Sequence, residues 1–398
     1  MLSNKITPAK RTKNIEYAVR DIVLVAKEAA KSGKKLLYLN IGDPMQYDFA
    51  TPEYLRNAVT EAMSKNFNGY SASEGTSQAV EAIKNDASKM GIDNIQDIFV
   101  TNGGSEAIDL SFAALLNEGE NILIPYPGYP LYSATIIKFG GEINPYYLNE
   151  ENGWLPDIED IKSRINSKTK GIVLINPNNP TGAIYPEETL RQIIAFAMEN
   201  NLVIFSDEIY SKLIFEGKTH ISTASLSDEA PIITFNGLSK SYLAPGWRIG
   251  WGIVSGNYEK LENYIAAIQK LSRARLCANH PMQFAIKPAL EMEPVHLKDT
   301  LEKLERRGNL TYEMLNAIDG ISCVKPEGAF YAFPKLEINC DDKAFVESLI
   351  KETGVVTVHG SGFGQKENSK HLRIVFLPNE EILIDSYEKL AGFIKKYR

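Results

Sequence analysis

Two basic residues, Lys240 and Arg248, stand in a stretch that otherwise carries no charge between positions 237 and 247 (GLSKSYLAPGW). Lys240 lies just beyond an apolar run at 232–235, where the backbone has to turn, and Arg248 sits among glycines. A surface lysine usually has charged neighbours; small and apolar neighbours argue for a sheltered one. A sheltered amine can condense with an aldehyde, and a guanidinium can grip a phosphate through two parallel hydrogen bonds. Together they form the minimum equipment for holding pyridoxal phosphate, an aldehyde with an anionic tail.

Further residues extend that chemistry. Asp207 ends an apolar run at 202–205, so its carboxylate enters a partly buried position, where it needs a cationic partner. Arg373 lies within the apolar run 372–377, where a bidentate carboxylate partner would offset the cost of burial; an internal Asp or Glu would do the same. Thr101-Asn102-Gly103-Gly104-Ser105 follows a strand-like run and opens a helix-like one, which suits backbone N–H groups to a phosphate. Asn176-Pro177-Asn178-Asn179-Pro180-Thr181-Gly182 would make a good turn in any context.

The elements that must position these groups read as alternating strands and helices. Short apolar runs at 97–101, 121–125, 171–176, 202–207, 232–235 and 249–254 end at turn residues. Helical spacing of apolar residues lies between several of them, as at 106–116 and 187–200. That alternation predicts an α/β fold, a mostly parallel sheet with helices on both faces. Beyond about 290 the pattern changes to a long polar helix, 298–318, and strand-like pieces at 321–324, 329–333, 355–358 and 372–376. That reads as a smaller α+β domain.

Six motifs appear in one order along the chain: Asn40-Ile41-Gly42-Asp43-Pro44, Gly69-Tyr70, the 176–182 turn, Ser206-Asp207-Glu208-Ile209-Tyr210, the 237–250 stretch and His371-Leu372-Arg373-Ile374-Val375. In that order and spacing the chain resembles the class I and II pyridoxal-phosphate aminotransferases. The resemblance implies fold type I, with a seven-stranded sheet in a large domain at 49–290. It also implies a small domain at 291–398, and a segment at 1–48 packing with the small one. It implies that Lys240 carries the cofactor and serves as the general base, and that Asp207 keeps the pyridine nitrogen protonated. Tyr210 and Asn179 hold the phenolic oxygen, Tyr129 stacks on the ring, and Gly104, Ser105, Ser239 and Arg248 hold the phosphate. Many relatives carry a serine where this chain has Gly237, so one phosphate contact is missing or replaced. Arg373, Gly42 and Asn179 would take the substrate carboxylate. Tyr70 would reach the phosphate of a partner subunit, which makes a homodimer with shared active sites. The reaction implied is amino-group exchange between an amino acid and a 2-oxo acid, in two stages through pyridoxamine phosphate.

Residues 39–44, 235–240, 275–279 and 358–362 are most similar to alanine (glutamate–pyruvate) aminotransferases of bacteria and archaea. Such an enzyme accepts a methyl group and a carboxylate in one pocket. Arg20, with Tyr17, is the candidate for a cation that swings in for glutamate; the other reading of Arg20 is a helix-face charge paired with Glu16. Other amino donors (branched-chain, aspartate or aromatic) and a pyridoxal-phosphate β-lyase on the same fold stay open. A non-catalytic sensor fused to a DNA-binding module does not suit the acidic chain.

Composition sets the outer limits. The chain has 398 residues, 44% hydrophobic and 23% charged, with a net charge of −7. Its length suggests about two domains, and its charge argues against nucleic acid or anionic membrane as partner. No apolar run reaches the ~20 residues of a membrane span. Cys277, Cys323 and Cys340 are odd in number and lack metal-like spacing, as are the five scattered histidines. A reducing, cytoplasmic setting without a metal site is the expectation.

Overall fold

The computed structural model describes residues 6–15 and 18–398, without the side chains of 19–21. The strands that build it are, in chain order, β1 (Leu37–Tyr38), β2 (Ile95–Thr101), β3 (Asn121–Tyr126), β4 (Glu142–Asn149), β5 (Leu155–Pro156), β6 (Thr169–Ile175), β7 (Val203–Asp207), β8 (Ile232–Gly237) and β9 (Gly250–Ser255). Eight of these form the main sheet in the order β2-β9-β8-β7-β6-β3-β4-β5. Pairing is parallel from β8 across to β4, and antiparallel where β9 meets β2 and β8 and where β5 meets β4.

Alternation along the strands explains the layers. Val173 and Ile175 point to one face with Ile122, Phe205 and Ile233, and meet the helices Gly104–Leu115 and Tyr258–Arg275. Ile172 and Leu174 point to the other face with Leu123, Ile204 and Ile232, and meet Glu187–Glu199. Strands covered on both faces have to be apolar along their whole length, which is why they were legible as continuous runs.

The α/β reading holds, but the sheet has eight strands where seven were expected. The additional one, β5, is a two-residue antiparallel edge whose Pro156 cannot donate to a ladder, so it leaves no hydrophobic signature. β4 also escaped the sequence pattern: Asn144, Pro145 and Asn149 interrupt its apolar residues.

The C-terminal part adds β10 (Ile321–Ser322), β11 (Tyr331–Ala332), β12 (Lys335–Leu336), β13 (Val355–Val356), β14 (Val358–His359) and β15 (Leu372–Val375). β15 lies between β11 and β14, antiparallel to both, and β10 pairs with β12. β1 pairs in parallel with β13, Leu37 opposite Val355. The long helix runs His296–Asn316. From it the buried Arg307 donates to Asp48 Oδ2 at 2.8 Å and to the carbonyl of Leu377 at 2.5 Å, and its guanidinium lies over the Phe49 ring. Hydrogen bonding to Arg307 holds the Asp48 carboxyl down at about 2.

Arg307 therefore fastens the chain around Asp48 to the end of β15. Replacing it with methionine keeps the stem packed but leaves the Leu377 carbonyl without that donor. The expected loss is about 1–3 kcal/mol, read as a lower urea midpoint with an unchanged slope.

Candidate active site

Parallel strands point their C-terminal ends at one edge of the sheet, and loops that carry chemistry converge there. β2, β3, β6, β7 and β8 deliver the loops after Thr101, Tyr126, Ile175, Asp207 and Gly237 to this edge. β9 runs the opposite way, so its first residue, Gly250, starts at the same edge, with Arg248 just before it. The single reversal in this part of the sheet is what brings Arg248 beside Gly103 and Gly104.

A cavity of about 600 Å³ opens at that edge. Gly42, Gly104, Ser105, Tyr129, Asn179, Asp207, Tyr210, Ser239, Lys240, Arg248 and Arg373 all line it. Tyr70 does not; it is 82% exposed on the surface. Tyr17 and the side chain of Arg20 lie outside the described residues.

Lys240 Nζ donates to the carbonyl of Gly42 at 2.8 Å. Desolvation pulls its pKa down to about 8; Asp43 opposes this, while Arg373 and Arg248 add to it. The amine is therefore far closer to neutrality at physiological pH than an ordinary lysine. Asp207 is 6% exposed, and burial pushes its carboxyl up to about 6. Tyr132 donates its hydroxyl to Asp207 Oδ2 at 2.9 Å, and the Ile209 amide approaches Oδ1 at 3.3 Å.

Arg373, 2% exposed, donates to the carbonyl of Asn40 at 2.5 Å and approaches Asn179 Oδ1 at 3.4 Å. Its guanidinium lies 4.9 Å from the ring centre of Tyr331 and 4.6 Å from that of Phe363. Such stacking holds a planar cation by its faces and keeps its edges for hydrogen bonds. The two central asparagines of the 176–182 turn divide their labour. Asn178 Oδ1 accepts from the amide and hydroxyl of Thr181, at 3.2 and 2.9 Å, and closes the turn. That leaves Asn179 to face the cavity.

The turn at 101–105 is tied by Glu106, which accepts from the Asn102 amide at 2.6 Å. Gly103 has φ 85°, and a Cβ there would stand 2.5 Å from Arg248 Nη2. Arg248 is itself left-handed at φ 55°, a conformation costing a non-glycine residue roughly 1 kcal/mol. The guanidinium and the start of the helix Gly104–Leu115 thus face one spot. At Gly237 a Cβ would meet the Ile249 carbonyl at 2.7 Å. In this chain the pairing of β8 with β9 leaves no room for a serine side chain there.

Several lining or supporting groups had no usable signal in the sequence. Tyr132 is one tyrosine among many. Tyr331, whose hydroxyl lies 2.8 Å from that of Tyr210, comes from the far end of the chain. Asp43, which also lines the cavity, shows in the sequence only as one residue of the 40–44 motif. Among the described residues no group of three or more His, Cys, Asp or Glu is placed to hold a metal.

The family model for aminotransferase class I and II matches residues 34–384. The chain belongs to that family. It is 40% identical to the glutamate-pyruvate aminotransferase AlaA of Haemophilus influenzae, over 94% of this chain and 95% of that one. It is 38% identical to an alanine aminotransferase of Mycobacterium tuberculosis, over 92% and 87% of the two chains. The solved structure of an alanine aminotransferase from Pyrococcus furiosus superposes with a TM-score of 0.94 at 42% identity, covering 98% of this chain and all of the other. The protein is thus a transaminase of fold type I, and its cofactor is pyridoxal 5′-phosphate.

The lining fits that cofactor. Asp207 is a buried carboxylate whose raised pKa marks an unmet demand for positive charge, which a protonated ring nitrogen supplies. Lys240 offers an amine of lowered proton affinity to an aldehyde. Arg248 and a helix N-terminus meet where an anion can sit.

Burial makes Asp207 a stability cost in the cofactor-free protein. Its folded pKa of about 6 exceeds the ordinary aspartate value of 3.8. The folded state therefore holds the proton more tightly, and stability falls as pH rises from about 4 to about 6. Two pKa units correspond to about 3 kcal/mol. Asp207→Asn should raise the unfolding free energy of the cofactor-free protein at pH 7 by about 1–3 kcal/mol, with the gain gone below pH 4. Denaturant titrations at the two pH values check this.

Proposed function

We propose that this enzyme exchanges an amino group between L-alanine and 2-oxoglutarate, yielding pyruvate and L-glutamate. What carries this reading is the convergence of Lys240, Asp207, Arg248 and Arg373 on one cavity, in a chain whose full-length relatives are named for alanine and glutamate–pyruvate exchange.

Pyridoxal phosphate supplies an aldehyde that condenses with amines and a ring that withdraws electrons from the substrate α-carbon. The chain's residues do the rest. Lys240 would hold the aldehyde, and its amine, when free, would take the substrate α-proton, a task suited to a base whose proton affinity is lowered to about 8. Asp207 keeps a proton on the ring nitrogen, and Tyr132 orients Asp207 by donating to Oδ2. Tyr210 and Asn179 would donate to the phenolic oxygen, and Tyr129 would cover one ring face. Gly104, Ser105, Ser239 and Arg248 hold the phosphate. Arg373 grips the substrate carboxylate beside Gly42 and Asn179.

The same reading places Tyr70 on the phosphate of a second copy, which makes the working unit a homodimer. It divides the chain at about 48 and 290 into an N-terminal segment, a large domain and a small one; the pairing of β1 with β13 supports grouping the first with the last. No described helix is long and apolar enough to cross a membrane. A cytoplasmic location suits the three free cysteines.

The cations among the described lining residues are Lys240, Arg248 and Arg373, and each has a task above. The second carboxylate of glutamate needs a further one, and Arg20 is the proposed source. Arg20→Ala should cut kcat/KM for glutamate by about tenfold or more, a loss of ~1.4 kcal/mol, while sparing alanine; equal losses on both would remove Arg20 from this role. A panel of alanine, glutamate, aspartate, valine and tyrosine with their 2-oxo acids tests the substrate assignment. Alanine with 2-oxoglutarate should be the best pair; release of pyruvate, ammonia and sulfide from cysteine without any 2-oxo acid would instead point to elimination.

The lowered proton affinity of Lys240 has its own signature. Capture of the aldehyde by cofactor-free protein needs the neutral amine, so its rate should rise with pH to a midpoint near 8. A midpoint at the ordinary lysine value of 10.5 would contradict the burial described here.

A further inference from the structure

Directly behind Asp207 lies a second buried carboxylate. Glu208 is 0% exposed and follows Asp207 at the end of β7, so the two side chains point to opposite faces. Glu208 Oε1 accepts from Ser206 Oγ at 2.8 Å, Ser222 Oγ at 3.0 Å and the Thr223 amide at 3.0 Å. Glu208 Oε2 faces His220 Nε2 at 3.0 Å.

His220 meets this carboxylate through Nε2 alone; its Nδ1 is buried and has no partner among the described residues. The charge on Glu208 reaches Asp207, whose proton affinity it raises. The charged and titratable groups around Asp207 are Tyr132 from the helix Leu131–Lys138, Lys240 from the loop after β8, Glu208 on its own strand, and Tyr129 and Tyr210 nearby.

We infer that Glu208 is an electrostatic positioning residue, a second negative charge that enforces protonation of the cofactor's ring nitrogen by Asp207. The inference rests on the role proposed above for Asp207 and extends it. One carboxylate in a dry site can relieve itself by taking up the proton; a fixed negative charge behind it raises the demand for a cation in front. The cation available in front is the ring N–H, whose proton is then kept to higher pH. Glu208 touches neither cofactor nor substrate and acts through Asp207 alone.

The test uses holoenzyme reconstituted with pyridoxal phosphate carrying ¹⁵N in the ring, whose NMR shift reports the ring proton as pH is raised. Glu208→Gln removes the charge and keeps a side chain of the same shape. His220→Lys sets a permanent cation against Glu208 and leaves the carboxylate in place, so one variant covers for the other if either folds poorly. Both should lose the ring proton at a pH lower by about one unit, a tenfold change in that equilibrium. Asp207→Asn should lose it several units lower. If the folded Glu208→Gln and His220→Lys proteins titrate with wild type while Asp207→Asn does not, Glu208 is a strut for the 220–223 segment and the inference falls. If Asp207→Asn also titrates with wild type, the role given to Asp207 falls with it.

Discussion

Charge taken out of water has to be met by other charge, and this cavity is organised by that demand. Three cations, Lys240, Arg248 and Arg373, and two carboxylates, Asp43 and Asp207, face one space of about 600 Å³. Each alters the others. Asp43 and Asp207 raise the proton affinity of Lys240, the two arginines lower it, and desolvation outweighs them all. An anionic cofactor and a carboxylate substrate would relieve the cationic surplus, and a protonated ring nitrogen would relieve Asp207. Affinity and chemistry thus come from the same source, groups that are uncomfortable until the right partner arrives.

The fold exists to keep these groups apart in sequence and together in space. Parallel pairing from β8 to β4 requires a crossover between strands, and each crossover returns the chain to the same edge. The antiparallel β9 is the exception that matters, since it allows Lys240 and Arg248 to share one short loop between β8 and β9. The C-terminal part then supplies Arg373 and Tyr331, and the chain beside β1 supplies Gly42. Pairing of β1 with β13 and the grip of Arg307 on Asp48 fix those pieces to each other.

The sequence disclosed the groups that carry charge and the strands buried on both faces. Lys240, Asp207 and Arg373 stood out because each is an ionisable residue in an apolar setting, an inconsistency that burial at a site resolves. What stayed hidden depends on long-range geometry. Tyr132 matters because its helix lies over the end of β7, 75 residues away in the chain. Tyr331 matters because β11 pairs with the strand that carries Arg373. β4 and β5 had no apolar run to betray them. Gly237 was visible as a departure from the family's pattern, but its reason, a paired backbone too close for a side chain, needed the register of β8 against β9.

That register carries a further consequence. Gly237 lies opposite Gly250, and a Cβ on Gly250 would stand 2.3 Å from the amide nitrogen of Gly104. Three backbones therefore stack without side chains between them: the strand leading to Lys240, the strand following Arg248, and the turn that opens the helix at Gly104. Side chains set the distance between neighbouring segments through flexible contacts, whereas bare backbones set it by hard contact. A displacement of the turn is transmitted to the loop that carries Lys240, and so to the position of its amine relative to an anion held at Gly104. In this chain the bare backbones at Gly237 and Gly250 belong to one arrangement, in which strand pairing and the turn at Gly104 fix each other's position.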